Sequence, residues 1–235
     1  MFFFAYIAIG AVFMEFLLLP IYIRLKNREK YKPLKITLKG CMTLIPVIFC
    51  ATAMLTLHKR TGDWHGLVTE SGYKTSLLIL AGLIICLAAD VVLVINFPVG
   101  MFLFLFGHIC YILYFLTISA FHLISILILV VGFTFTYRYF NRFREAMGKL
   151  LPAYFLYALT IDSTFSVGIL LPFTIGPYGV LPALASGLLV ISDYMLAVNR
   201  ISGHKPWSDL MYLSYYFTGQ YFMSLSVFIP VMLNL

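Results

Sequence analysis

The sequence predicts an all-α integral membrane protein with eight transmembrane helices. Of its 235 residues, 62% are hydrophobic and only 11% are charged, whereas soluble domains average about 45–50% and about 25%. The apolar residues form helix-length runs without charge, and eight spans of about 20 residues would leave only short connections. We therefore expect one integral membrane domain over residues 1–235, and a water-soluble globular fold is excluded.

The first four predicted spans are separated by basic or turn-forming segments, since charge-free runs locate helices and turn residues divide runs that are too long for one helix. These spans are Phe2–Ile23, Ile36–Leu57, Thr75–Ile95 and Met101–Ile118. The first has no basic segment before it and reaches helix length, so we expect a span there and no cleavable signal peptide. Asn96, Pro98 and Gly100 predict a break between the third and fourth spans.

The other four predicted spans follow the same rule. They are Leu123–Tyr137, Leu150–Leu171, Tyr178–Val198 and a helix that begins near Leu210 and nearly reaches the C-terminus. The segments that separate them are a polar break at Ser119–His122, a basic loop at Arg138–Lys149 and a Pro/Gly turn at Pro172–Pro177.

The basic residues give this topology an orientation. Thirteen of the 16 Lys and Arg residues fall on one side, and Lys59, Arg60 and Lys74 fall on the other. Because basic loops resist translocation, the first side is predicted to be cytoplasmic and both termini external or lumenal. We expect the plasma membrane in a bacterium and the endoplasmic reticulum in a eukaryote. The basic excess is thus an orientation signal, and nucleic acid is not an expected partner.

Ionisable side chains inside the predicted spans are costly in hydrocarbon, so each is a candidate functional residue. The acids of this kind are Glu15, Asp90, Asp162 and Asp193. Asp90 and Asp193 lie toward the cytoplasmic ends of the third and seventh spans, at similar depth. His108 and Tyr111 share a face of the fourth span. The eighth span carries a polar stripe of Tyr212, Tyr216 and Gln220. Polar groups from four helices at one depth predict a cavity open to the cytoplasm.

Each of these residues also has a structural explanation. An acid near a helix end can extend toward water, a His can bind a neighbouring helix, and Tyr residues commonly line membrane interfaces. For the cluster, the recurrence of two Asp and one His at matched depth favours a site. Glu15 and Asp162 have no such matched partners, and their role stays open.

No metal or cofactor is predicted. Cys41, Cys50, Cys86 and Cys110 lie in apolar stretches without CxxC or Cys/His ligand spacing, so we expect buried free thiols. His108 has no second His at ligand spacing, and nothing resembles HExxH.

Two pairs of short segments predict an internal repeat. Ala81-Gly82-Leu83 precedes Asp90 as Ser186-Gly187-Leu188 precedes Asp193, and Gly107-His108 is echoed by Gly219-Gln220. The third and seventh spans run in the same direction, so the pattern predicts a parallel repeat of four plus four helices.

Five motifs, in order along most of the chain, resemble the YhhN-like lysoplasmalogenase family. They are Lys32-Pro33-Leu34, AGLIICLAAD ending at Asp90, FLFLFGHICY covering His108 and Tyr111, SGLLVISDYMLAVNR around Asp193, and LSYYFTGQ ending at Gln220. Characterised members have eight helices and hydrolyse the vinyl ether bond of lysoplasmalogens, releasing a fatty aldehyde and glycerophosphoethanolamine or glycerophosphocholine. The resemblance implies the same activity here, with a lysophospholipid substrate.

The resemblance also implies roles for single residues. Asp90 and Asp193 correspond to the paired intramembrane aspartates, which are the expected catalytic residues. The other recurrent polar positions correspond to Lys32, His108, Tyr111, Ser192, Asn199, Tyr215 and Gln220, and Tyr216 belongs to the same polar stripe. Ala89 departs from the pattern, which has Gly before the Asp, and its methyl group narrows the expected pocket.

Vinyl ether hydrolysis suits a pair of carboxyl groups. One acid protonates the β-carbon, and a carboxylate stabilises the resulting oxocarbenium ion and activates water, as paired acids do in glycosidases. The sequence leaves open which Asp takes which role. Lys32 and Lys35, at the cytoplasmic mouth, are candidates to bind the phosphate of the head group, although they also serve as orientation signals.

Two other functional classes stay open at this point. In a transporter, the same acids would carry protons or bind cations, and interrupted helices around Pro172–Pro182 would be the feature to examine. The other of these two classes is a non-catalytic lipid-binding protein with the same fold. The oligomeric state is not predicted.

Overall fold

The computed structural model describes residues 17–25, 28–59, 70–201, 203 and 206–232. Most of the first predicted span, Glu15 and the external loop at residues 61–69 lie outside these described residues. The described part contains helices and no strand. Six of its helical segments are long and apolar enough to cross a membrane. The prediction of an all-α multi-pass membrane protein is therefore confirmed.

Eight helices carry the architecture of the described residues. They are α1 (residues 17–25), α2 (Lys32–Lys59), α3 (Glu70–Ile95), α4 (Phe97–Ile118), α5 (Leu123–Asn141), α6 (Leu151–Gly168), α7 (Val180–Ile201) and α8 (Pro206–Leu225). Shorter helical segments are Glu29–Tyr31, Arg144–Met147, Gly148–Leu150, Leu171–Thr174, Gly176–Gly179, Ser226–Phe228 and Ile229–Met232. The proline-containing segments between Leu171 and Gly179 connect α6 to α7 and do not interrupt either helix.

Several helices extend past the predicted spans. α2 begins at Lys32 rather than Ile36, and α5 continues to Asn141. The predicted break at residues 96–100 shrinks to Asn96, whose side chain accepts a hydrogen bond from the Val99 N–H at 3.3 Å and caps α4. Charged residues lie where a helix leaves the hydrocarbon of the membrane, whereas capping residues lie where its backbone hydrogen bonds begin. The membrane boundary and the end of the helix therefore fall at different residues.

Helix α8 is absent from the six apolar segments. It packs on α7, α2 and α3, and Tyr212, Tyr216 and Gln220 on it are all buried. A helix enclosed by other helices has no need for an apolar surface facing lipid. Its polar stripe therefore lies inside the bundle, as the sequence predicted.

The closest helix pairs are α3 with α4 and α7 with α8, which are equivalent pairs in the predicted repeat. A Cβ atom on Gly107 of α4 would lie 2.6 Å from Cys86 Sγ of α3, and one on Gly219 of α8 would lie 3.0 Å from Leu189 Cγ of α7. Cys86 and Leu189 each stand four residues before the Asp of their helix. Gly107 and Gly219 thus allow the two helices of each pair to pack closely at the same place relative to the Asp.

Two alanine substitutions in the short glycine segments that precede Asp90 and Asp193 are expected to differ. In Gly82→Ala, the new Cβ would lie 2.5 Å from Tyr111 Cε1, which is fully buried, so we expect a loss of about 1–3 kcal/mol in the free energy of unfolding. In Gly187→Ala, the nearest atom is Phe165 Cε2 at 3.8 Å, so stability rises by up to about 1 kcal/mol through helix propensity. Equilibrium unfolding in detergent micelles measures both, and equal losses would contradict this packing.

The cysteines are free thiols, with one difference from the prediction. Cys50 and Cys86 are buried and Cys110 is partly buried, but Cys41 is exposed on α2. Burial was therefore wrongly predicted for Cys41, because an apolar stretch of sequence does not distinguish a lipid-facing position from one facing the protein.

Candidate active site

Asp90 of α3 is enclosed by three hydrogen-bond donors and is 1% exposed. Lys39 Nζ lies 2.8 Å from Oδ1, while the Tyr216 hydroxyl donates to Oδ2 at 2.7 Å. The Thr43 hydroxyl also donates to Oδ2, at 2.5 Å. One ammonium group and two hydroxyl groups stabilise a charged carboxylate in an apolar setting. The surroundings of Asp90 therefore suit an anion.

Lys39 and Thr43 were not predicted as site residues. The sequence interpretation treated Lys39 only as part of the basic orientation signal. Lys35, Lys39 and Thr43 nevertheless follow one another at intervals of four residues, so they share a face of α2. This polar stripe at the start of a transmembrane helix was the signal that could have identified them.

Asp193 of α7 lies beside His108 of α4. His108 Nε2 is 3.3 Å from Asp193 Oδ2, and both side chains are buried. The Oδ2 atom makes no hydrogen bond, while the Tyr157 side chain hydrogen-bonds the same carboxyl group. Asp193 therefore has an imidazole and a phenol beside it, where Asp90 has an ammonium group and two hydroxyl groups, so the two carboxyl groups differ in their surroundings.

His108 lies between two polar partners. Its Nδ1 atom is 3.2 Å from the Thr164 hydroxyl, which also lies 3.0 Å from Thr160 O. Its Nε2 atom faces Asp193 Oδ2. Either nitrogen of an imidazole ring can donate or accept a hydrogen bond. Asp193 and His108 are therefore close enough to act as an acid–base pair.

Tyr111 and Gln220 form a third polar contact, deeper in the bundle. The Tyr111 hydroxyl donates to Gln220 Oε1 at 2.6 Å and lies 3.7 Å from Cys86 Sγ. Gln220 is fully buried, and its Nε2 atom makes no hydrogen bond. The predicted site residues of α4 and α8 thus contact each other, and one amide donor is left for a further acceptor.

The remaining predicted residues occupy different positions. Lys35 and Asn199 line a cleft described below, and the Asn199 side chain donates to Asp209 Oδ1 at 2.9 Å. The Ser192 hydroxyl donates to the backbone oxygen of Tyr212 at 2.9 Å, which joins α7 to α8. Lys32 is exposed at the first residue of α2, and Tyr215 is partly buried on α8.

A polar cleft of about 370 Å³ lies on the predicted cytoplasmic side. Its basic and amide lining consists of Lys35, Lys39, Asn199 and Arg200. The Arg200 guanidinium stands 5.1 Å from the centre of the Phe97 ring, which holds it at the rim. Neither Asp90 nor Asp193 lines this cleft, but Lys39 in its wall contacts Asp90.

Asp193 lies between two small clefts of about 20 Å³ each, which share Tyr154, Tyr157 and Ala197 in their lining. Aromatic rings also surround His108, with the rings of Tyr111 and Tyr157 edge-on at 6.0 and 6.1 Å. The surroundings of Asp193 are therefore narrow and apolar. A reactive cation formed here would meet few polar groups other than the carboxyl groups.

Asp162 of α6 has buried partners of its own. The Thr136 hydroxyl of α5 donates to its Oδ2 at 3.1 Å, and the Tyr194 hydroxyl of α7 donates to its Oδ1. Thr136 and Tyr194 also contact each other at 2.6 Å. Asp162 thus joins three helices and positions Tyr194, the residue that follows Asp193.

The arrangement combines a carboxyl group held by an ammonium and two hydroxyl groups, a second carboxyl group that faces an imidazole ring, and a basic cleft. Carboxyl and imidazole side chains of this kind can perform general acid–base chemistry on a bound molecule. The described residues contain no group of three or more His, Cys, Asp or Glu placed to hold a metal ion.

Comparison with known proteins gives one match. The YhhN family model matches residues 34–227, which contain every site residue described above except Lys32. No curated protein and no solved structure matches the chain. The match covers most of the 235 residues, and the chain therefore belongs to the YhhN family.

Proposed function

We propose that this protein hydrolyses the vinyl ether bond of lysoplasmalogens. YhhN family membership is consistent with a hydrolase of the lysoplasmalogenase type. In the proposed reaction, a proton adds to the β-carbon of the vinyl ether and produces an oxocarbenium ion. Water attacks this ion and loses a proton to give a hemiacetal, which breaks its C–O bond to yield a fatty aldehyde and a glycerophosphoester.

Asp193 is the general acid in this proposal. The supporting observation, on which the proposal chiefly rests, is the contact of Asp193 Oδ2 with His108 Nε2, since it places beside the carboxyl group a ring that can take up and release a proton. The Oδ2 atom makes no hydrogen bond, so no existing hydrogen bond of this atom is broken when a proton moves to or from it. Such a positioned acid contributes about 10²- to 10⁴-fold to a rate.

Asp90 is the anionic partner in this proposal. Lys39, Thr43 and Tyr216 stabilise its charge, and a fixed negative charge in an apolar site stabilises a developing oxocarbenium ion. The Tyr216 ring lies edge-on to Phe104 at 5.8 Å, and Phe104 lines a cleft that contains Asp193. One layer of aromatic rings thus lies between the environments of the two carboxyl groups.

The polar cleft is the proposed site of the head group. Lys35 and Arg200 line it, and cationic side chains at a cleft mouth bind phosphate. Lys32, which the sequence also offered as a phosphate ligand, is exposed at the first residue of α2. We therefore assign the phosphate to Lys35 and Arg200.

An assay for aldehyde release tests the proposed reaction. We expect the purified protein in detergent to release aldehyde from a 1-alkenyl lysophospholipid, and at least about 100-fold less product from the matched ester and alkyl ether. An alkyl ether has no alkene to protonate, and an ester is cleaved by attack on its carbonyl carbon rather than by protonation of a carbon atom. In D₂O, the aldehyde should carry one deuterium at the carbon next to the carbonyl group, which mass spectrometry detects.

The other functional classes give different results in the same experiment. A transporter would move its substrate across sealed vesicles without breaking a bond. A lipid-binding protein would retain the alkenyl lipid unchanged. Aldehyde release without deuterium at that carbon would contradict protonation by a solvent-exchangeable acid.

A further inference from the structure

A second large cleft lies on the other side of α7, between α5, α7 and the start of α8. Its volume is about 390 Å³, within the range of ligand pockets. Most of its lining is apolar or aromatic, and includes Phe135, Tyr139, Met195, Val198 and Trp207. We propose that this lateral cleft binds the hydrocarbon chain of the lipid substrate and admits it directly from the bilayer. This inference rests on the proposed function.

The lateral cleft faces lipid. Phe135 on its rim is 72% exposed, and Trp207 is 61% exposed. Phe135 lies within α5, an apolar helix that is long enough to cross the membrane and of which only a small part is buried. The surroundings of such side chains in a bilayer are acyl chains, so the molecule with access to this cleft is a lipid.

The lateral cleft adjoins a small cleft at Asp193. Phe140 and Tyr194 line both the lateral cleft and one of the small clefts at Asp193. Their rings are 5.9 Å apart between centroids, and the hydrogen bonds of Tyr194 to Asp162 and Thr136 hold its ring in place. A chain that reaches Asp193 from the bilayer therefore passes two positioned aromatic rings.

The polar cleft adjoins the lateral cleft, since Asn199 lines both. Leu93, Phe97 and Leu196 line both the polar cleft and the other small cleft at Asp193. An apolar cleft thus lies beside a cleft with basic side chains, and each shares wall residues with a small cleft at the Asp193 carboxyl group. A single-chain lipid has a matching arrangement, since its reactive bond lies between a hydrocarbon chain and a phosphate. This correspondence favours an amphiphilic lipid as the occupant. A second protein chain would have no part that matches the basic cleft.

A substitution that fills the lateral cleft tests this assignment. In Val198→Trp, the indole occupies the space between α5 and α7, whereas Val131→Trp adds the same ring on α5 at a position that is 62% exposed and outside the cleft. We expect Val198→Trp to lower kcat/KM at least about tenfold for a substrate with a hexadecenyl chain and to leave a butenyl substrate unchanged. Val131→Trp should change neither value. Equal effects of Val198→Trp on both substrates would overturn the assignment.

Covalent labelling tests the cleft independently of catalysis. The probe is an alkyl ether lysophospholipid, which lacks the cleavable bond, with a diazirine near the middle of its chain. In detergent-solubilised wild-type protein, we expect labelled peptides from α5 and α7 that disappear with excess unlabelled lysolipid. Label that is competed away only on α3 and α4 would overturn the inference. Labelling in the cleft of a protein that releases no aldehyde would support the chain site and reject the proposed function.

Discussion

Asp193→Asn is expected to lower the rate of aldehyde release by about 10²- to 10⁴-fold, because the side chain keeps its shape but loses the transferable proton. Folding should change little. The Oδ2 atom makes no hydrogen bond, and the contact with His108 is the one ion-pair contact that the described residues give this carboxyl group. Product formation from an alkenyl lysophospholipid in detergent, with the unfolding transition as a second measurement, separates these two effects.

Glu145→Gln is the matched control for this experiment. It makes the same change from carboxyl to amide on an exposed residue between α5 and α6, and it should leave the rate unchanged. A wild-type rate in Asp193→Asn would reject Asp193 as the acid. Asp90→Asn should also reduce activity, but it leaves the buried Lys39 ammonium without its anion, so its effect combines catalysis with stability.

Lys39→Met is expected to produce the largest loss of stability. Lys39 and Asp90 are 5% and 1% exposed and 2.8 Å apart. Removing one member of a buried ion pair leaves the other charge uncompensated, which costs about 3–5 kcal/mol. Equilibrium unfolding in detergent micelles measures this loss. We also expect activity to fall, since Asp90 loses the cation that keeps it charged.

The double variant Lys39→Met/Asp90→Asn provides the test of this explanation. With both charges removed, most of the loss should be recovered, and the cycle should give a coupling of several kcal/mol. Lys32→Met removes an exposed charge from the same helix and should change stability by less than about 0.5 kcal/mol. If the stability losses of the two single variants simply added up in the double variant, the ion pair would not be the source of the loss in Lys39→Met.

The sequence predicted the fold well because hydrocarbon restricts which side chains a span can carry. Breaks at Asn96 and at Ser119–His122 divide a long charge-free run at the positions where α3, α4 and α5 end or begin. The predicted ends were less accurate, since Lys32 and Arg138 lie inside helices. A charged residue can occupy the last turns of a transmembrane helix by extending its side chain toward water.

The candidate site was predicted in part. The matched depth of Asp193 and His108 followed from their positions along the helices, but their contact was not predicted. The partner of Asp90 was not predicted either, because Lys39 has two explanations in sequence, an orientation signal and a buried cation, and only the helix packing separates them. The contact of Ser192 with a backbone oxygen of α8 was not predictable either, because it depends on how closely α7 and α8 approach.

The predicted internal repeat would place Asp90 and Asp193 at equivalent positions, yet each contacts a helix of the other half. Tyr216 on α8 binds Asp90, and His108 on α4 contacts Asp193. The symmetry is broken at one further point, since α2 supplies Lys39 to Asp90 whereas α6, its counterpart, contains no Lys or Arg. Two carboxyl groups that duplication would make identical are thereby given unequal electrostatic surroundings. On the proposed mechanism, this asymmetry is what allows one to be an anion while the other delivers a proton.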